Sequence, residues 1–244
     1  MSALKALNLV KSFDGRVVVD RVSIEINSGE IIALLGRNGA GKTTTFQMMI
    51  GLLKPDQGQL FIDRLNISSA TTCQRAIKGI TYLPQESSVF LKTSVENNLR
   101  MVLELKGYRR EEIEERTKDL LEELGLLALA RQPAYSLSGG ERRRLEICRS
   151  LILKPRFLIL DEPFTGIDPL TIIELQKILG KLSKKGIGII LSDHNVRDTL
   201  SIVNRAYIID SGKILVEGGP EEIALSQEAK ERFLGKDFKL ETRK

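Results

Sequence analysis

The chain is poor in the residues and runs on which several functions depend. It has one histidine and two cysteines in 244 residues, and Cys73 and Cys148 show no metal-ligand spacing. That supply cannot complete a zinc site. Two lone thiols suit a reducing cytosol, and both read as inert. Apolar runs are short, Ile31–Leu35 being typical. A membrane span needs about 18 such residues, so no bilayer crossing is expected. The opening MSALKALNLV lacks the charged start and long apolar stretch of a signal peptide. No internal repeat or low-complexity tract is present, which argues against disordered and fibrous classes. Neither charge sign dominates: Lys+Arg 37 against Asp+Glu 32 leaves +5. These dispersed charges suit phosphate ligands, but net charge alone does not imply nucleic acid. No G-x-S-x-G elbow exists, and Ser192-Asp193-His194 is a run of neighbours, not a hydrolase triad.

What is present reads as α/β. At about 150 residues per domain, the length allows one large domain or two small ones. Leu4–Lys11 and Val17–Ile26 alternate apolar with polar residues, as half-buried antiparallel strands do. Ile31–Leu35, Phe157–Leu160 and Ile187–Leu191 are continuous apolar runs, each followed by a turn and a helical pattern. Such runs predict a parallel sheet covered on both faces. From about Thr93 to Leu153 the pattern is helical. Ile113, Thr117, Leu120, Leu121 and Leu124 form one face, with Glu111, Glu112, Glu114 and Glu115 on the solvated one. Ala206–Asp210 and Lys213–Glu217 read as short strands flanking a Ser-Gly turn, ahead of a charged helical end.

Two segments carry chemistry. Gly36, Arg37, Asn38, Gly39, Ala40, Gly41, Lys42 and Thr43 fit G-x-x-x-x-G-K-[ST] between a buried strand and a helix, and Thr44 follows. Glycines let backbone N–H groups wrap a polyphosphate, and the helix N-terminus adds a favourable dipole. Lys42 is expected on the β/γ-phosphates and the Thr43 hydroxyl on Mg²⁺. Phe157–Leu160 ends in Asp161-Glu162-Pro163. Carboxylates leaving the carboxyl end of a parallel strand stand where such sheets bind ligands. Asp161 is expected to hold Mg²⁺, and Glu162 to take a proton from attacking water.

A second helix start also suits phosphate. Ser138 reads as the cap of a helix from Glu141 to Leu153, and Gly139 and Gly140 leave its N-terminus open. Taken alone, Ser-Gly-Gly is also a common loop. One chain with two such ends either binds two anions or has each site completed by another copy.

The phosphate loop, Leu137-Ser-Gly-Gly-Glu141, Leu158-Ile-Leu-Asp-Glu-Pro163 and the later His194 occur in this order over essentially the whole chain. In this the chain resembles the ATPase subunits of ABC transporters. The resemblance implies a P-loop NTPase with a mixed, largely parallel sheet core, an antiparallel β subdomain and an inserted α-helical subdomain. Its divisions are a single domain over 1–244, with core 1–86 and 156–220, helical subdomain about 87–155 and C-terminal helical tail 221–244. It implies ATP and Mg²⁺ as ligands and a head-to-tail homodimer. Each ATP then lies between one copy's phosphate loop and the other's Ser138, Gly139, Gly140 and Glu141. Phe13 falls where the family places an aromatic that stacks on adenine; a strand-edge core residue is the lesser alternative. Gln85 falls at the glutamine that contacts Mg²⁺ and the attacking water, and His194 at the switch histidine by the γ-phosphate. Thr165-Gly-Ile-Asp168-Pro matches the loop that crosses to the second copy, and Asp168 also suits a helix cap. Arg37 departs from the family's usual Pro.

Leu137–Arg144, Asn195–Leu200, Leu83–Glu86 and Phe233–Leu240 are similar to the ATPases of the lipopolysaccharide export (Lpt) machinery of Gram-negative bacteria. That resemblance implies two integral-membrane subunits of the LptF and LptG type, with an LptC-type partner. It implies no nucleic acid, and a cytoplasmic protein peripheral to the inner membrane through its partners. Val89, Phe90 and Leu91 are candidates for the groove that grips a membrane subunit. The alternatives are a branched-chain amino-acid importer ATPase, with the same site, and a soluble ABC factor acting on ribosomes or DNA. The polar ending 241–244 suggests no role.

Overall fold

Two strands joined by an Asp-Gly turn open the chain. β1 (Ala3–Phe13) and β2 (Arg16–Asn27) pair antiparallel. Asp14 and Gly15 both take positive φ, 48° and 79°, as the tight hairpin turn whose twist matches the strands requires. The structure, a computed structural model, describes residues 2–240; the polar ending 241–244 lies outside them. β3 (Ile31–Leu35) leads through the glycine loop into α1 (Lys42–Ile50). β4 (Gln57–Ile62) returns beside β1, and β5 (Leu65–Asn66) pairs with it. The result is a four-stranded antiparallel sheet in the order β2-β1-β4-β5.

After α2 (Thr72–Ile77) and β6 (Ile80–Leu83) come three helices: α3 (Val95–Leu105), α4 (Arg110–Glu123) and α5 (Gly139–Leu151). In this stretch an isolated bridge pairs Ser94 with Pro133. The chain then returns through β7 (Phe157–Asp161), α6 (Pro169–Lys184), β8 (Gly188–Ser192) and α7 (Val196–Leu200). β9 (Arg205–Asp210), β10 (Lys213–Gly218) and α8 (Pro220–Leu225) follow. The second sheet has the order β10-β9-β3-β8-β7-β6. Its neighbours are parallel except β9 and β10.

The continuous apolar strands follow from this arrangement. Ile31, Ala33 and Leu35 face one core, which Leu158, Leu160, Leu191 and the middle helices share. Ile32 and Leu34 face another, built with β1, β2 and α1. Successive side chains of a strand point to opposite faces, so a sheet covered on both faces needs apolar residues at every position. On α4, Ile113, Thr117 and Leu121 are buried, while Glu111, Glu114 and Glu115 are exposed. The helix has the two-faced character its spacing predicts.

Three features differ from what the sequence pattern predicts. β4, β5, α2 and β6 escape it because polar residues interrupt each of them, leaving neither an unbroken apolar run nor a full period. The helix expected from Glu141 begins at Gly139. The C-terminal segment is helical through Leu234 and irregular from Gly235 to Leu240. There Phe238 and Leu240 pack on the core that the middle helices share. Burying apolar side chains needs no helix once the surface beneath them is built.

Candidate functional site

The parallel strands β3, β7 and β8 deliver three loops to one end of the sheet. Main-chain crowding explains the glycines of the first loop. A Cβ on Gly36 would overlap the Ile209 carbonyl oxygen, and one on Gly41, with φ +108°, would stand 2.8 Å from the Val18 carbonyl oxygen. Gly39 takes φ +78° with open space around it. The loop thus folds tightly against β9 and β2 and stays bare where a ligand would lie.

An open cleft of about 330 Å³ is lined by Asn38, Gly39, Gly41, Lys42, Thr43, Thr44, Val18, Gln85, Glu162 and His194. Lys42, only 5% exposed, donates to the carbonyl oxygens of Gly36 at 2.8 Å and Arg37 at 3.1 Å. Burial lowers its pKa, and Glu162, Asp161 and Asp193 oppose that shift. The Thr43 hydroxyl donates to Asp161 Oδ2 at 2.8 Å. Tyr82 donates to the same oxygen at 3.1 Å, and Ser192 to Oδ1 at 2.5 Å. Burial, then the Asp161 carboxylate, pushes the Tyr82 phenol up and keeps it a donor. Asp161, 1% exposed, is therefore a buried carboxylate held by three hydroxyls. Its neighbour Glu162 has φ +49°. That left-handed turn is uncommon for a side-chain-bearing residue. The Glu162 carboxylate faces His194, with Oε2 2.8 Å from Nε2.

The second helix start is a capping box. The Glu141 N–H donates to Ser138 Oγ at 3.3 Å, and Glu141 Oε2 accepts from the Ser138 N–H at 2.8 Å. Gly140 has no room for a side chain, because its Cβ would overlap Thr171 Cγ2. Gly139 lines a further recess of about 140 Å³ with Gln85, Glu162 and Gly166. Ser138, Gly140 and Glu141 are not among the residues lining the phosphate-loop cleft. The helix start carrying Ser138 is tied to that cleft from behind. Arg143 on α5, 6% exposed, donates to the carbonyl oxygens of Pro84 and Asp161, both at 2.9 Å, and to Glu146 at 2.8 Å.

Not every expected residue reaches the cleft. Ala40 is buried and accepts the Gly212 N–H at its carbonyl oxygen, and the exposed Arg37 lines, with Arg16 and Asp210, a neighbouring cavity of about 640 Å³. Phe13 is 45% exposed at the end of β1, with the Lys11 ammonium 5.6 Å from its ring centre. It is not among the residues lining the cleft. Asp168 caps α6, accepting from the N–H groups of Leu170 and Thr171 at 3.1 Å each. Phe90 and Leu91 are exposed, but Val89 is buried in the core, so it drops out of the candidate groove. Cys148 is buried, and burial holds its thiol up, whereas Cys73 is exposed. Tyr82, Ser192, Asp193 and Arg143 join the site without having been expected there. For Ser192 the signal exists only in three dimensions: it is the parallel-register partner of Asp161.

A phosphate loop on a strand–helix turn, a strand-end carboxylate pair and a capped Ser-Gly-Gly helix start, on a mixed α/β fold, define an ATP-binding ATPase. The family described as ABC transporter matches residues 19–165, and the chain belongs to it: it is an ATP-binding, ATP-hydrolysing subunit of an ABC transporter. Over nearly its full length it is similar to particular members. It is 48% identical to the lipopolysaccharide export system ATP-binding protein LptB of Acidithiobacillus ferridurans, across 97% of this chain and 98% of that protein. The Escherichia coli K12 protein of the same name is 46% identical, across 98% and 100%. Among solved structures, the ADP conformation of an ATP-binding cassette of an ABC transporter matches with TM-score 0.87 at 26% identity, covering 96% of this chain and 99% of that one.

Proposed function

We propose that this chain is the ATPase of a lipopolysaccharide export transporter. The supporting observation is identity of 46–48% to two proteins of that name, running through nearly the whole chain. Among the described residues no helix is long and apolar enough to cross a membrane. On this reading the chain acts at the cytoplasmic face of the inner membrane, held there by membrane subunits of the LptF and LptG type with an LptC-type partner. The exposed Phe90 and Leu91, with Arg149 stacked 4.6 Å from the Phe90 ring centre, supply the apolar contact for them.

ATP lies along the phosphate loop, its phosphates on the N–H groups at the start of α1. Lys42 leaves the Gly36 and Arg37 carbonyl oxygens for the β/γ-phosphates. Adenine lies toward Phe13, whose exposed ring can stack. The Thr43 hydroxyl and the Asp161 carboxylate, 2.8 Å apart, are hard oxygen donors, and Gln85 lines the same cleft. This set fits Mg²⁺, with Thr43, Asp161 and Gln85 as the residues that would hold it. When bound, the ion neutralises charge on the β/γ-phosphate oxygens. Glu162 takes the proton of the attacking water at its carboxylate, and His194, 2.8 Å away, orients that carboxylate and meets the γ-phosphate.

The second wall of the site comes from another copy. The Ser138 helix start presents open N–H groups and a glycine pair, yet Ser138 does not line its own chain's phosphate-loop cleft. A head-to-tail pair places each copy's Ser138 on the other's γ-phosphate. Pulldown from native membranes tests the assignment. Two distinct lipopolysaccharide-export membrane subunits are expected. Recovery of permeases with a periplasmic binding protein would reassign the chain to a nutrient importer.

A further inference from the structure

Asp193 is 1% exposed, stands beside the reacting groups and takes no part in the steps assigned to Glu162 and His194. Its Oδ2 accepts the Phe164 N–H at 2.7 Å, and its Oδ1 accepts the Asn195 N–H at 2.9 Å. Those two amides belong to different loops, one leaving β7 and the other leaving β8. The strands themselves stop pairing at Asp161 and Ser192. Beyond that point no sheet ladder holds the loops together, and the carboxylate takes over. The Glu162 N–H makes the last main-chain link, to the Ser192 carbonyl oxygen at 2.9 Å.

The anchored positions bracket the chemistry. Phe164 is two residues after Glu162, and Asn195 is one residue after His194. Phe164 is itself buried in the core, so its amide is a fixed point. Glu162 sits in a strained left-handed conformation, φ +49°, which persists only where its surroundings impose it. From Phe164 the chain runs directly to Thr165, Gly166, Ile167 and Asp168, the segment expected to cross to the second copy.

We propose that Asp193 is a positioning residue for ATP hydrolysis. Its carboxylate staples the loop after β7 to the loop after β8, sets the Glu162–His194 spacing and fixes the direction in which residues 165–168 leave the site. Only an acid of this length does so. It supplies two acceptors and no donor, and both N–H groups point at it. Asparagine has the same shape but replaces one acceptor with an NH₂ that meets an N–H head-on. The cost of such a mismatch falls on geometry at the reacting centre, where about 1 Å of displacement can cost about a hundredfold in rate.

The inference rests on the roles given to Glu162 and His194, so the test is a double-mutant cycle. Asp193→Asn, His194→Ala and the double variant are compared with the unmodified chain for ATP affinity and turnover. Asp193→Asn should keep ATP affinity within about twofold, because Lys42 and the phosphate-loop amides make no hydrogen bond to Asp193 and Lys42 feels its charge less than those of Glu162 and Asp161, and lose about 10- to 100-fold in kcat. Added to His194→Ala it should cause little further loss, because both changes undo one arrangement. Additive losses, or unchanged kcat in Asp193→Asn, overturn the proposal. So does a parallel fall in affinity and kcat that follows loss of thermal stability, the sign of a residue that merely supports the fold. Full turnover in His194→Ala alone overturns instead the reading of the site on which the proposal stands. If Asp193→Asn does not fold, amide exchange in the unmodified chain provides the second measurement: the Phe164 and Asn195 amides should exchange together, as one opening unit. Independent exchange overturns the staple.

Discussion

The Thr43 hydroxyl donates to Asp161 at 2.8 Å across 118 positions of sequence. One residue stands in the first turn of α1 after the glycine loop; the other ends a buried strand. Their contact joins the glycine-loop and carboxylate halves of the site, and it exists because β3, β8 and β7 lie side by side and parallel in one sheet. The same geometry makes the site open to test by substitution.

Lys42→Ala should lose nucleotide affinity by about tenfold or more, the value of one or more charge-assisted hydrogen bonds. Equilibrium binding of a fluorescent ATP analogue measures it. Unchanged affinity would remove Lys42 from the phosphates.

Glu162→Gln should bind ATP but hydrolyse it about 10²- to 10⁴-fold more slowly, the usual share of a general base. Size-exclusion chromatography with ATP should then show a trapped dimer. Ordinary turnover in this variant would exclude the carboxylate as the base.

Ser138→Arg should leave ATP binding by the isolated chain intact and abolish hydrolysis if, as proposed, the altered helix start serves the other copy's ATP. Normal turnover by purified Ser138→Arg protein would contradict a site shared between two copies.

Gly140→Ala should destabilise the fold by about 1–3 kcal/mol, the usual range for overpacking. Its Cβ would overlap Thr171 Cγ2. Thr171→Ser removes that methyl and keeps the hydroxyl that donates to Asp168 at 2.6 Å, so the double variant should recover much of the loss. Denaturant melts measure both. A double variant no more stable than Gly140→Ala would show that the clash lies elsewhere.

Acid should weaken the tie between the chain's first strand and the β6–β7 region. Asp63 accepts the Ala3 N–H at 2.8 Å and pairs with Arg156, and these contacts hold its pKa down, at about 2 against an ordinary 3.8. A depressed carboxylate pKa contributes stability that is fully present above the unfolded value and is lost as pH falls through the folded one. The Tm advantage of the natural chain over Asp63→Asn should therefore be steady above about pH 5 and shrink between about pH 4 and 2. A gap that does not change over that window would show that the Asp63 charge contributes nothing.

Much of the site was legible locally because phosphate binding needs a fixed local order. A glycine loop must follow a strand and precede a helix, so Gly36–Thr43 announces itself, and Asp161-Glu162 reads as a strand end. Ile31–Leu35 similarly announces a sheet covered on both faces. β4, β5 and β6 do not: polar residues interrupt them, Gln57 and Gln59 in β4, Asn66 in β5 and Thr81 in β6, so none shows an unbroken apolar run or a full alternation. Val89 looked like its neighbours Phe90 and Leu91, and only packing separated the buried residue from the exposed pair.

Sequence alone determined the kind of chemistry, because the order and spacing of residues along a few loops specify what a backbone can hold. Tertiary structure decided which side chains act together. Tyr82 and Ser192 meet on Asp161, Glu162 turns left-handed toward His194, and Asp193 spans two loops. Those partners are brought together by strand register and by the sheet order, in which β3 lies between β9 and β8. Register is a relation between distant segments, and no local pattern of residues records it.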